Sequence, residues 1–203
     1  MYKFNVSLVA RGGAGAYRSI LSVFSQTVLP SQFLIYCLEE NEPLISSIME
    51  TVIDDLGEKH RKIHSEFKTR RSDFLEIDIS ENTVTSLLME RDMYLPNYIE
   101  EIIKLSKNME NSVTNQLSLA LTACPYYQRK SLGNSKKVHP SQVDLIPLSS
   151  ISLSNFTNQV QHFKLDEKKL QLRKNSSFYI SPYFEPHVVV QSNVNSALGF
   201  EKT

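Results

Sequence analysis

A glycine-rich turn near the amino terminus has the residue types that can hold a phosphate group. An apolar run at residues 4–10 ends just before Gly12 and Gly13, and Gly15 precedes a helical pattern. In a turn between a strand and a helix, glycines allow backbone N–H groups to approach a phosphate closely. The stretch therefore predicts a dinucleotide site, another kind of nucleotide site, or a turn without a ligand.

The spacing of these glycines fits the dinucleotide fingerprint poorly. That fingerprint requires a glycine or alanine three positions after its second glycine. Arg18 stands there, and its bulk opposes close packing of helix and strand. Glu39 or Glu40 would be the acid that holds the ribose in such an enzyme. A Walker phosphate loop is excluded, because no lysine–serine or lysine–threonine pair follows the glycines. A dinucleotide-dependent enzyme stays one alternative.

Apolar runs and helical patterns alternate through the first half of the chain. Short runs of β-branched and aromatic residues predict buried strands, and apolar residues spaced by three or four positions predict helix faces. The ranges, in chain order, are strand 4–10, helix 14–26, strand 33–38, helix 44–56, strands 74–79 and 83–89, and helix 96–105. This order predicts a mainly parallel sheet wrapped by helices.

The remaining segments are less regular. Residues 58–73 form a highly charged run. The second half predicts a strand at 113–123, a long loop at 125–150, a short helix at 163–173 and strands at 178–180 and 187–191. The length of 203 residues fits a single domain.

Composition narrows the class of protein. The chain has 22 basic and 22 acidic residues, which argues against a dedicated nucleic-acid binder. Cys37 and Cys124 lie in apolar surroundings, so we expect buried thiols in a reducing compartment. No segment approaches the roughly 18 apolar residues of a membrane span. We therefore expect a cytoplasmic protein, with contact at a membrane surface left open.

Several stretches together resemble a GT-A glycosyltransferase related to family two. They are "VSLVA", "SILSVFSQT", "LP" and "FLIYCLEE" in the first forty residues. Residues 84–105, "VTSLLMERDMYLPNYIEEIIKL", resemble the acid-x-acid segment of that family, and "ACPYY" at 123–127 resembles a proline–tyrosine stretch found after the next strand. The resemblance covers about residues 4–128.

This resemblance implies a GT-A-like three-layer sandwich, with a mainly parallel central sheet and helices on both faces. It implies transfer of a sugar from a nucleotide-sugar donor to a hydroxyl of a glycan or lipid-linked acceptor, in bacterial surface polysaccharide or glycoconjugate synthesis. Within the single domain 1–203, residues 1–110 would hold the nucleotide sugar and residues 111–203 the acceptor.

The resemblance places Glu90 and Asp92 at the outer positions of the acid-x-acid motif. It implies that they bind a divalent cation, Mn²⁺ or Mg²⁺, which neutralises the diphosphate leaving group. We expect Asp92 to be the stronger ligand, since Glu90 is more flexible and Arg91 adds local repulsion. The alternative is a solvated turn.

The same resemblance predicts a nucleotide pocket. Ala10 and Arg11 would line it, and Glu39 or Glu40 would lie near the base or ribose. The carboxyl ends of neighbouring parallel strands meet at one edge of a sheet, so these residues should lie close together.

The remaining site predictions are less specific. Arg70 or Arg71 matches a lysine of related members and would contact the diphosphate; the alternative is a solvated basic run. The catalytic base of the family is an acid in the second half, where Asp166, Glu167 and Glu185 are available and no motif chooses among them. Because the motif begins with glutamate and the base is unassigned, a non-catalytic GT-A-like binding or partner subunit is the second hypothesis.

Overall fold

The computed structural model of the chain describes residues 3–69, 74–112, 119–129, 134–166, 171–173 and 178–191. Three α-helices lie within these residues: α1 Gly15–Phe24, α2 Glu42–Leu56 and α3 Tyr98–Ser112. None of the described helices is both long and apolar enough to cross a membrane.

Fifteen strands are described, most of them short. They are β1 Lys3–Val9, β2 Gln32–Cys37, β3 His64–Thr69, β4 Phe74–Ile79, β5 Thr83–Met89, β6 Met93–Tyr94, β7 Leu119–Ala123, β8 Tyr126–Arg129, β9 Ser135–Val138, β10 Leu145–Pro147, β11 Ile151–Asn155, β12 Gln161–Asp166, β13 Gln171–Arg173, β14 Phe178–Ile180 and β15 Val188–Gln191. Short 3₁₀ helices span Glu39–Asn41, Glu58–Lys62, Pro140–Gln142 and Leu148–Ser150.

The central sheet has seven described strands in the order β14-β7-β11-β5-β1-β2-β3. β1 pairs in parallel with β2 and β5, β2 with β3, and β7 with β14. Only β11 among them runs antiparallel, to both β5 and β7. The sheet is therefore mainly parallel, and the carboxyl ends of β1, β2 and β5 meet at one edge.

The three α-helices cover one face of this sheet. Phe4, Val6 and Leu8 of β1 share one buried cluster with apolar side chains from all three helices. The helix residues in it are Ile20, Val23, Phe24, Ile45, Val52, Tyr98, Ile99, Ile102, Leu105 and Met109. Burial of a large apolar side chain contributes about 1.5–3 kcal/mol, so this cluster fixes how the helices sit on the sheet.

The opposite face is covered by short strands and a 3₁₀ helix. Val9 and Leu87 of the sheet pack there with Ile77 and Ile79 of β4 and with Leu148. Because both faces are covered, the central strands are buried on both sides, and β1 buries the polar Asn5 and Ser7 together with its apolar residues. The predicted class is confirmed as a mixed α/β fold with a mainly parallel sheet flanked by helices. The expectation of helices on both faces is met differently, since the described α-helices lie on one face and the other is covered by short strands and the 3₁₀ helix Leu148–Ser150.

The charged run at 58–73, for which no element was predicted, contains β3, the last described strand on that side of the sheet. Two sequence predictions are wrong. The predicted loop at 125–150 contains β8, β9 and β10. In the predicted helix at 163–173, the described residues 163–166 belong to β12 and 171–173 to β13. β12 pairs antiparallel with β4 over its whole length, and this pairing overrides the local helical pattern.

Candidate functional site

The ends of three neighbouring strands form the edge of the sheet where the site was predicted. The Ala10 N–H donates to the Tyr36 carbonyl at 2.9 Å, and the Glu90 N–H donates to the Val9 carbonyl at 3.0 Å. The expected closeness of the first two strand ends is thus confirmed. Ala10 is buried at this edge and Arg11 is exposed.

The glycine-rich turn closes around the Glu90 carboxylate. The Arg11 N–H donates to Glu90 Oε2, and a Cβ placed on Gly13 would collide with Glu90 Oε1. Gly12 has a φ of +76°, and the side chain of Asn41 lies against it. The glycines of this turn therefore allow close approach to Glu90 and to the 3₁₀ helix Glu39–Asn41 that follows β2.

Arg91 has an unusual backbone conformation. Its φ is +81°, in the left-handed region that side-chain-bearing residues rarely adopt. Its N–H donates to Ser19 Oγ at 3.0 Å, and the Ser19 hydroxyl donates to the Asp92 carbonyl at 2.9 Å. A Cβ on Gly15 would overlap Arg91 Cγ. The first turn of α1 thus lies directly against the turn formed by residues 90–92, here called the Glu-Arg-Asp turn.

Polar side chains farther along α1 hold the segment that follows this turn. Ser22 Oγ accepts from the Tyr94 N–H at 3.1 Å. Gln26 donates to the Leu95 carbonyl at 2.8 Å and accepts from the Ile99 N–H at 3.1 Å. Ile99 lies in the first turn of α3, where backbone N–H groups have no partner within the helix. The role of Gln26 in the described contacts is therefore structural.

Asp92 faces the interior of the protein. Its side chain is 6% exposed; Oδ2 accepts from the Ser149 hydroxyl, and Oδ1 accepts from the Gln191 N–H at 2.9 Å. Ser149 Oγ also accepts from the Met89 N–H at 2.9 Å. Burial raises the pKa of Asp92 to about 7, although its two hydrogen bonds lower it.

The two carboxylates differ in their suitability for a metal ion. Glu90 is half-buried at the sheet edge, and its one described hydrogen bond leaves acceptor capacity for a cation. Asp92 already accepts a hydrogen bond on each oxygen. Within the described ranges, no group of three or more histidine, cysteine, aspartate or glutamate residues could hold a metal. Glu90 fits as one oxygen ligand, and the two-carboxylate site stays a prediction.

The predicted nucleotide-contacting acids follow β2 at the same edge. Glu39 and Glu40 are exposed in the 3₁₀ helix Glu39–Asn41. Asn41 of that helix donates to the Arg11 carbonyl at 3.4 Å, which places the helix beside the glycine-rich turn. Arg70 and Arg71 lie outside the described residues.

The predicted catalytic acids are not brought together with Glu90 by any described contact. Asp166 ends β12, opposite Phe74 of β4. Glu185 is exposed in the loop between β14 and β15, and its carboxylate pairs with Lys137 at 2.9 Å. Glu167 lies outside the described part of the chain. No base is therefore assigned by geometry.

Sequence reasoning missed several residues that shape this site. Ser19 and Ser22 are buried on α1, three positions apart, and that spacing among apolar residues was a usable signal. Ser149 lies in a segment that was predicted as loop, and Gln191 acts through its backbone. Neither has a sequence signal that points to Asp92.

The fold places the protein in a broad structural class. The chain is a mixed α/β protein with a mainly parallel sheet flanked by helices, and the candidate site lies at the carboxyl edge of that sheet. The crystal structure of S. aureus TarS 1-349 in complex with UDP-GlcNAc is similar at a TM-score of 0.52 and 7% identity, over 98% of this chain and 61% of that chain.

A second solved structure gives a weaker likeness. The crystal structure of S. aureus TarS matches at a TM-score of 0.41 and 6% identity, over 65% of this chain and 22% of that chain. This chain therefore spans less than two thirds of the length of each of these two solved chains. No protein-family model matches the sequence, and no curated protein matches it significantly.

Proposed function

We propose that this chain is a glycosyltransferase that binds a nucleotide sugar at the carboxyl edge of β1, β2 and β5. The single observation that carries the proposal is the Glu90 carboxylate, held at this edge by the Arg11 N–H and enclosed by Gly13. Open α/β sheets bind their ligands outside the carboxyl ends of the strands. The likeness to the fold of a protein whose structure contains UDP-GlcNAc supports the same choice.

The proposed reaction requires charge neutralisation at this edge. The acceptor hydroxyl oxygen forms a bond to the anomeric carbon, the bond to the diphosphate breaks, and the nucleoside diphosphate leaves with the electron pair. Exposed Arg11 and Arg91 supply positive charge beside Glu90. A divalent cation, Mn²⁺ or Mg²⁺, would be held by Glu90 together with diphosphate oxygens, and when bound it would stabilise the charge of the leaving group.

The acceptor side of the proposal rests on the second half of the chain. A base must take the proton from the attacking hydroxyl, and Asp166, Glu167 and Glu185 stay the candidates for it. We propose a glycan or lipid-linked acceptor, in the synthesis of bacterial surface polysaccharide or glycoconjugates.

The first experiment measures donor binding by the whole chain. Calorimetry and thermal shift would be recorded with UDP-GlcNAc, other nucleotide sugars and NAD⁺, each with and without Mn²⁺. We expect one nucleotide sugar to bind, with higher affinity when Mn²⁺ is present. Glu90→Gln should weaken that binding at least about tenfold, since a charged ligand is lost.

The matched control is Glu81→Gln. Glu81 is an exposed acid just before β5, at the opposite end of that strand from Glu90. Its substitution should leave donor affinity unchanged. Equal losses in the two variants, or binding of NAD⁺ alone, would contradict the proposed site.

A non-catalytic binding or partner subunit is the second candidate function. It is favoured by the interior position of Asp92, which leaves Glu90 as the carboxylate of the Glu-Arg-Asp turn at the edge. This candidate predicts nucleotide-sugar binding without release of the nucleoside diphosphate, either to water or to an added glycan. A coupled assay for free UDP distinguishes it from the transferase.

A further inference from the structure

Asp92 occupies a motif position at which a metal ligand was expected, yet its carboxylate lies inside the protein. We infer that Asp92 is a positioning residue, whose carboxylate fastens the Glu-Arg-Asp turn to β15 and to the 3₁₀ helix Leu148–Ser150. Its effect on donor binding rests on the proposed function above. The connection that Asp92 makes between the turn, β15 and the 3₁₀ helix, here called the link, is supported by the described hydrogen bonds alone.

Three segments that are far apart in sequence meet at this carboxylate. The Met89 N–H donates to Ser149 Oγ, and the Ser149 hydroxyl donates to Asp92 Oδ2. The Asp92 N–H in turn donates to the Met89 carbonyl at 3.0 Å. This closed ring of hydrogen bonds fixes the end of β5 and the residue that closes the turn in one arrangement.

The second oxygen of Asp92 holds the end of β15. β15 pairs antiparallel with β6, where Val188 lies opposite Tyr94 and Val189 opposite Met93. The Gln191 N–H then donates to Asp92 Oδ1, so the carboxylate continues this contact beyond the two-residue ladder. β15 also pairs with β8, so Asp92 connects the donor-side turn to the half of the chain assigned to the acceptor.

Two observations argue against ligation of a cation by Asp92. Its side chain is 6% exposed, which leaves little access for an ion with its own ligands. A metal that drew the carboxylate to the edge would also leave the Ser149 hydroxyl and the Gln191 N–H without an acceptor. Such buried donors are costly to leave unsatisfied.

The test distinguishes the loss of the hydrogen bonds to the Asp92 carboxylate from the loss of its negative charge. Ser149→Ala removes one side of the link and leaves the carboxylate in place, whereas Asp92→Asn removes the charge and keeps an acceptor for the Gln191 N–H. The matched control is Ser152→Ala, since Ser152 is a buried serine whose hydroxyl has no hydrogen-bond partner among the described residues.

We expect Ser149→Ala and Asp92→Ala to weaken UDP-GlcNAc binding about tenfold, and Asp92→Asn and Ser152→Ala to stay within about threefold of wild type. The ratio of affinities with and without Mn²⁺ should be unchanged in Asp92→Asn. If Asp92→Asn abolishes the Mn²⁺ effect while Ser149→Ala binds like wild type, Asp92 is a cation ligand and the inference is overturned.

Hydrogen exchange gives a readout that needs no ligand. Amide protection of β15 should fall in Ser149→Ala and Asp92→Ala and stay at the wild-type level in Asp92→Asn and Ser152→Ala. If wild-type protein binds no nucleotide sugar, the proposed function fails, and the exchange data still decide whether the link exists. Unchanged β15 protection in both Ser149→Ala and Asp92→Ala would overturn it.

Discussion

The two ends of the Glu-Arg-Asp turn place the same chemical group in opposite environments. Glu90 lies at the sheet edge, where its described partner is a backbone N–H of the glycine-rich turn. Asp92, two residues later, lies in the interior and accepts one hydrogen bond on each oxygen. The left-handed Arg91 stands between them. The difference teaches that two acids separated by one residue can be divided between the accessible edge of a sheet and the buried interior.

The largest expected effect is on stability and comes from the interior end. Asp92→Ala leaves two buried donors without an acceptor, so the free energy of unfolding should fall by about 3 kcal/mol. Glu90→Ala removes a partly exposed carboxylate and should cost less than about 1 kcal/mol. Urea unfolding of both variants measures the contrast. Equal losses would mean that the two ends of the turn do not differ in this way.

The two glycines that contact the turn should differ in the same way, with one substitution lowering stability and the other lowering donor affinity. Gly15→Ala places a Cβ against the Arg91 backbone N at 3.0 Å as well as its side chain. It should destabilise the fold by about 2 kcal/mol. Gly13→Ala meets only the Glu90 side chain, which can move. That variant should keep most of its stability and lose donor affinity, and thermal unfolding with calorimetry would distinguish the two outcomes.

The raised pKa of Asp92 gives a pH-dependent prediction. Burial raises this pKa from 3.8 to about 7, so the folded state keeps a proton that the unfolded state has already released. The stabilisation that this proton gives is complete below the pKa of Asp92 in the unfolded state. It is lost as the pH rises through the pKa of Asp92 in the folded state. The contribution falls by at most about 1.4 kcal/mol per pH unit in that window.

Asp92→Asn removes this titration and serves as the comparison for wild type. The difference in unfolding free energy between the two proteins should change across pH 4 to 7 and become level above that range. If the plots of unfolding free energy against pH for the two proteins are parallel throughout, Asp92 titrates normally and is not held in the interior.

The smallest expected effect concerns Ser22, a residue of α1 whose hydroxyl holds the segment that follows the Glu-Arg-Asp turn. Ser22→Ala removes the acceptor of the buried Tyr94 N–H and should cost about 1 kcal/mol of stability. Ser25, an exposed serine just after α1, provides the control variant Ser25→Ala. A loss in the control as large as in Ser22→Ala would point to a general effect of helix composition instead.

The elements predicted correctly are those whose own residues form a long run or periodic pattern of apolar side chains. The ends of β1 and β2 were expected to meet because parallel strands share an edge, and the Ala10 contact with Tyr36 confirms this. β12 was predicted as helix because its pairing with β4 involves residues far away in sequence, such as His162 opposite Asp78. A periodicity argument contains no information about such a partner.

The candidate site was predictable to the same limited extent. The acids of the Glu-Arg-Asp turn could be placed at the end of a strand from local sequence alone. The contacts of Asp92 could not, since Ser149 and Gln191 lie 57 and 99 positions away along the chain. Burial and partner choice at this residue depend on how the second half folds back.

The edge strand β3 has a consequence for solubility. It is the last strand on one side of the central sheet within the described residues, and a terminal strand offers unpaired backbone groups to any other extended chain. His64, Glu66 and Lys68 follow one another along one face of this strand, and Lys68 lies 3.9 Å from Glu66. Charged side chains on an edge of this kind discourage the addition of a foreign strand. We therefore expect the charged side chains of β3 to keep the central sheet from pairing with another chain.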